Sequence, residues 1–98
     1  MNFESEVRDI VFEALTNLNE ELPEGNKVAV SYDTLLFGGD STIDSLSLVS
    51  IIVDVETAAS GRFDRTIALT DDRAMSRLPS PFTSVRTLTD YVVELLNE

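Results

Sequence analysis

The sequence predicts an all-α fold: a small helical bundle forming a single domain over residues 1–98. Three observations lead there. Apolar residues recur in steps of three and four near both ends of the chain, the period of one helix face. A nearly continuous apolar run in the middle, 45–57, is longer than strands usually are. And 98 residues suffice for one modest core, not for two.

The first predicted helix covers Asn2 to Leu18. Phe3, Val7, Ile10, Val11, Ala14, Leu15 and Leu18 share a face, with Glu4, Glu6, Asp9 and Glu13 between them. Acidic residues in its first turn suit the positive end of the helix dipole. The segment from Asn19 to Gly39 is punctuated by Pro23, Gly25 and Asn26. It reads as a long loop with an apolar underside (Val28, Val30, Tyr32, Leu35, Leu36 and Phe37) and a short helical turn at Asp33 to Leu36. A structureless connection of this length in a small domain usually has a functional reason. Gly38 and Gly39 allow a sharp backbone path toward the central apolar run.

From Ser45 to Thr57 the β-branched content makes a strand the competing assignment. Two adjacent stripes at helical spacing, Leu46-Val49-Val53 and Leu48-Ile52-Val55, favour a helix apolar around much of its circumference. Such a helix is usually central to a bundle. Gly61 is placed to end it as a C-cap. Residues 62–81 read as irregular, anchored by Phe63, Ile67, Leu69 and Leu78, with a short helix starting at Thr70-Asp71-Asp72 and stopping before Pro79. The closing helix, Ser84 to Leu96, carries Val85, Leu88, Val92, Leu95 and Leu96 on one face, with Thr83 or Ser84 as its cap. The sum is three longer helices and one short one, with a long first loop.

Composition narrows function. Cysteine and histidine are absent, so there is no disulfide framework, no thiolate nucleophile, and neither the commonest general base nor the commonest zinc ligand. No carboxylate pair stands out as an acid–base couple, and a self-sufficient enzyme is not expected. The net charge is −11, which disfavours nucleic acid and anionic membranes as partners and favours basic protein surfaces. The charge is uneven: residues 1–56 hold 12 acidic and 2 basic side chains, and residues 57–98 hold 6 and 5. No apolar stretch reaches membrane-spanning length and no signal segment is visible, so a cytoplasmic monomer is expected. Gly38-Gly39 lacks the Lys-Ser/Thr of a nucleotide loop. Residues 40–51 place Ser45 and Ile51 where an EF-hand needs Gly and Glu, so no metal site is assigned. Arg62, Arg65, Arg73, Arg77 and Arg86 are expected to be solvated or locally paired.

Asp44-Ser45-Leu46 comes after the long loop and opens the apolar helix of an acidic chain of about one hundred residues. In this the chain resembles the acyl carrier proteins, across nearly its whole length. The resemblance implies a four-helix bundle of the acyl carrier protein type. It implies that Ser45 carries phosphopantetheine, transferred from coenzyme A by a magnesium-dependent phosphopantetheinyl transferase. It further implies partner recognition by Asp44, Leu46, Val49, Asp54 and Glu56. The partners would be that transferase, an acyl- or aminoacyl-loading ligase, and downstream synthase or transferase enzymes with basic docking surfaces. Read from the residues alone, Ser45 is a helix cap, and a helical interaction module that never carries the arm is the alternative. The chain departs from the common family pattern at Ser47 and Ser50, where many carriers have acids, in the lead-in 37–43, and in the longer segment 61–81. These departures point to a specialised carrier with its own loading enzyme.

Overall fold

The computed structural model describes residues 3–22, 24–36, 43, 45–69, 76 and 81–98. Among them lie three α-helices and no strand: α1 (Glu4–Glu21), α2 (Ser45–Phe63) and α3 (Val85–Leu96), with a 3₁₀ turn at Glu24–Asn26. The short helix expected after Thr70 falls outside the described residues.

α1 buries Val7, Ile10, Val11, Ala14, Leu15 and Leu18, the face that the apolar spacing predicts. Among the described elements it is α1, not α2, that packs against both of the others. α2 faces the core with Leu48, Ile51, Ile52, Val55 and Ala59, and α3 with Val85, Leu88, Tyr91, Val92 and Leu96. The expectation that the most apolar helix is the central one is therefore corrected. α2 is apolar on two sides, but only one of them is buried.

Helix ends explain the shifted boundaries. α1 runs one polar turn beyond Leu18, through Asn19, Glu20 and Glu21. Lys27 holds that turn, its ammonium donating to the Asn19 carbonyl at 2.5 Å and to that of Leu22 at 3.5 Å. A cation at a helix C-terminus also meets the negative end of the dipole. The Asn19 side chain pairs with the Val28 backbone in both directions, at 2.8 and 2.9 Å. Leu22 is extended, the conformation a following proline favours.

At the other end, α2 continues through Gly61 to Phe63. The left-handed residue is Asp64, at φ 52°, and the Arg65 amide reaches back to the Ser60 carbonyl at 3.2 Å. This is a Schellman ending with aspartate where glycine is the usual choice. Gly61 sits within the helix with nothing within 4 Å of where a Cβ would lie. The glycine thus stands three positions early. Gly61→Ala is expected to stabilise the protein by about 1 kcal/mol, and Asp64→Gly by about 0.5–1 kcal/mol, since glycine adopts the left-handed region freely and the helix end sheds an unfavourable negative charge. Thermal unfolding of the double variant should show a midpoint raised by roughly 6–16 °C. No rise for Gly61→Ala would mean that α2 is not helical at that position.

The long loop is fastened rather than free. Leu35 and Ser84 form an antiparallel bridge. The Leu36 amide donates to the Thr83 carbonyl at 2.8 Å, and the Val85 and Arg86 amides donate to the carbonyls of Thr34 and Tyr32 at 3.0 Å. Loop carbonyls thereby satisfy amides in the first turn of α3 that have no partner within the helix. Ser84 and Thr87 complete a capping box. These bonds replace the helical turn expected at Asp33 to Leu36, where Leu35 stays half in solvent and Leu36 is fully buried.

Tyr32 ties the loop to both neighbouring helices. Its hydroxyl donates to Glu4 at 2.6 Å, and the Arg86 guanidinium lies 4.6 Å from its ring centre while pairing with Asp33 at 3.1 Å. Burial, together with the bond to the Glu4 carboxylate and its charge, pushes the phenol up to about 12. The other described arginines are also locally engaged. Arg62 meets Glu6 at 3.4 Å, and Arg65 donates to the carbonyls of Leu96 and Glu98 at the end of α3. Arg73 and Arg77 lie outside the described residues.

Candidate functional site

The candidate site is the N-terminal half of α2. Ser45 is the helix's first residue. Asp44 and the lead-in 37–42 lie outside the described residues. The first turn of a helix has amides with no partner within the helix and forms the positive end of its dipole, where an anion is favoured.

The next turns present apolar side chains to solvent. Leu46 is 79% exposed, Val49 53% and Val53 44%. At spacings i, i+3 and i+7 they lie on one side of the helix, opposite the core stripe. The resemblance singles out Leu46 and Val49 as recognition residues, but not Val53, the third member of the exposed stripe. The signal was present, because two separate stripes cannot both face one neighbour. Ser50 and Thr57 are exposed beside the apolar stripe. From Ser45 to Val53 this helix carries no charge at all.

Two of the proposed recognition acids part company here. Asp54 is exposed and shares a groove of about 280 Å³ with Glu13 and Asn17 of α1, above Ala14 and Ala58. Glu56 is half-buried, and its carboxylate accepts from the Leu69 amide at 2.6 Å. One helical turn further on, Ser60 Oγ accepts from the Ile67 amide at 3.0 Å. Residues 66–69 are thus stitched along α2 by alternate amides, with Ile67 and Leu69 pressed into the core. A shallow trough of about 510 Å³ runs between this segment and α2, lined by Glu56, Thr57, Ser60 and Thr66. Glu56 is therefore first of all a structural acceptor. Glu56→Ala is expected to cost about 2 kcal/mol, the range of a hydrogen bond to a charged group, and Glu56→Gln, which keeps a neutral acceptor, about half that. Urea unfolding reads both as a lowered midpoint at unchanged slope. Unchanged midpoints would return Glu56 to the surface role.

Among the described residues, no cluster of three or more acidic side chains is placed to hold a metal ion, and no helix is long and apolar enough to cross a membrane. Compared with protein-family models, with curated proteins and with solved structures, the chain matches none.

Proposed function

We propose that this chain is an acyl, aminoacyl or peptidyl carrier protein that holds its cargo as a thioester on a phosphopantetheine arm attached to Ser45. The observation that carries this reading is Asp44-Ser45-Leu46 at the start of α2, with Ser45 the first helical residue and Leu46 exposed beside it. The order of elements supports it: an amphipathic first helix, a long anchored loop, a second helix opening on the serine, and a closing helix. In the full proposal a short helix between Thr70 and Pro79 completes a four-helix bundle of the acyl carrier protein type.

The Ser45 hydroxyl takes the phosphopantetheinyl group of coenzyme A from a separate transferase, and the nucleotide half leaves. The new phosphodiester is an anion at the positive end of α2. The thiol arrives with the cofactor, which suits a chain without cysteine. The chain itself catalyses nothing. It raises the effective concentration of cargo at the active sites of partner enzymes in lipid, polyketide or nonribosomal-peptide synthesis. Its place of work is the cytoplasm and its working form a monomer.

The test is intact mass. Unmodified protein incubated with coenzyme A, magnesium and a broad-specificity phosphopantetheinyl transferase is expected to gain one phosphopantetheine. No gain with several transferases, and none on protein from the native host, would sink the carrier reading. That outcome would favour the second reading, a helical interaction module without an arm. Half-buried Ser47 and exposed Ser50 on α2, where many carriers have acids, are what favour that reading.

A further inference from the structure

We infer that Lys27 is a gated acyl-acceptor site: its amine takes an acyl group from a thioester only when the cap at the end of α1 opens, and the acyl group then keeps that cap open. Lys27 is the single lysine of the chain, and the other six basic residues are arginines, whose guanidinium groups stay protonated and do not attack thioesters. Cysteine and histidine are absent, so no thiol or imidazole competes for the acyl group.

Where Lys27 sits follows from the course of the helices. α1 and α2 run antiparallel. At one end the Phe3 ring stands edge-on to Phe63 with centroids 5.4 Å apart, and Arg62 meets Glu6 at 3.4 Å. Midway, Glu13 and Asn17 share a groove with Asp54 and Thr57. The C-terminus of α1 therefore lies at the end of the pair where α2 begins with Ser45. Exposed Lys27 folds back onto that C-terminus, donating to the carbonyls of Asn19 and Leu22. In the proposed function, cargo held as a thioester is tethered at this same end. Only the natural donor depends on that reading; the chemistry at Lys27 does not.

In the capped state Nζ is an ammonium shared between two carbonyls, with no lone pair to offer. To react it must leave both carbonyls and lose a proton to solvent. The amine then attacks the carbonyl carbon of the thioester. A C–N bond forms, the C–S bond breaks, and the sulfur leaves as a thiol that carries off a second proton. The resulting amide is neutral and keeps a single N–H. It no longer complements the negative end of the α1 dipole and cannot serve both carbonyls. The gate has a second fastening, because the Asn19 side chain pairs with the Val28 backbone at 2.8 and 2.9 Å and so holds Lys27 beside the helix end.

The test uses the full unmodified chain and S-acetyl-N-acetylcysteamine, a small acetyl thioester, so acylation of Lys27 and loading of Ser45 can fail separately. Intact mass is expected to rise by one acetyl group, which fragmentation places on Lys27 Nζ. A synthetic peptide of residues 24–30, which has no cap, should react about three- to tenfold faster than the chain, the range of a net hydrogen bond. Asn19→Ala should speed the reaction of the chain by about threefold. Lys27→Arg should take no acetyl group there and leave hydrogen exchange at the amides of residues 20–22 unchanged. The acetylated chain, and Lys27→Gln as its stable counterpart, should exchange those amides about three- to tenfold faster. Equal rates for chain and peptide, or no effect of Asn19→Ala, would overturn the gate. Acetyl groups on hydroxyls instead of Lys27, or a chain that stays unmodified where the peptide reacts fully, would overturn the site. Unchanged exchange after acetylation would show that the acyl group does not hold the cap open.

Discussion

Ser45→Ala is expected to abolish phosphopantetheine loading completely while changing stability by no more than about 0.5 kcal/mol. The loss is total because no other group substitutes for the hydroxyl that forms the phosphodiester. The stability change is small because alanine is a better helix former than serine at the first helical position, which offsets whatever the hydroxyl contributes there. Two readouts separate the possibilities. Intact mass reports loading, and the far-ultraviolet melting curve reports folding. Ser47→Ala, two residues along the same helix, serves as the control and should still load. A Ser45→Ala protein that gains the full mass would place the arm on another serine, and fragmentation of the modified peptide would locate it. An unloaded variant with an unchanged melting curve is the expected pair of results.

The second large effect concerns the loop that leads toward that serine. Leu36 is fully buried, whereas its neighbour Leu35 is 38% exposed. Leu36→Ala should therefore cost about 3 kcal/mol, combining lost transfer energy with the cavity left behind. For a domain this small, that lowers the thermal midpoint by on the order of 12–24 °C. Leu35→Ala should stay within about 0.5 kcal/mol. The contrast between adjacent leucines is sharper than either number. Similar effects at both positions would mean that the loop does not hold the register described by the bridge between Leu35 and Ser84. Because Leu36 directly precedes the lead-in 37–43 in the chain, the variant also tests whether the anchored loop matters for presenting Ser45. Its loading rate should fall along with its stability.

How much of this was legible beforehand differs by element. The buried face of α1 was legible because it follows from a single period, Val7 to Leu18; that of α3 was legible at Val85, Leu88, Val92 and Leu96, while buried Thr89 and Tyr91 were missed and Leu95 is only half-buried. Ser84 as the cap of α3 was legible from residue type. The ends of α1 and α2 were not. The last turn of α1 depends on Lys27, eight residues after Asn19, and nothing local to Asn19-Glu20-Glu21 announces it. Gly61 carried the usual signature of a helix end, yet the left-handed residue is Asp64. Of the residues that the resemblance singles out, Leu46, Val49 and Asp54 are exposed on α2. The engagement of Glu56 was invisible, because its partner is a main-chain amide thirteen residues later and backbone groups leave no mark in residue type. Val53 was hidden by composition, since an exposed valine and a buried one read alike until a neighbouring helix chooses a side.

That α1 packs on both α2 and α3 has a consequence during synthesis. α1 is made before α3, and it buries its apolar stripe partly against it. While the ribosome is still adding Val85–Leu96, the stripe from Val7 to Leu18 is only half covered, and a folded intermediate cannot close around it. Contacts that join the two ends of a chain also form slowly, because a long segment must be closed before they bring any return. The nascent segment is thus at its most adhesive just before α3 emerges. The acidic residues that alternate with the stripe on α1 keep such chains apart during that interval.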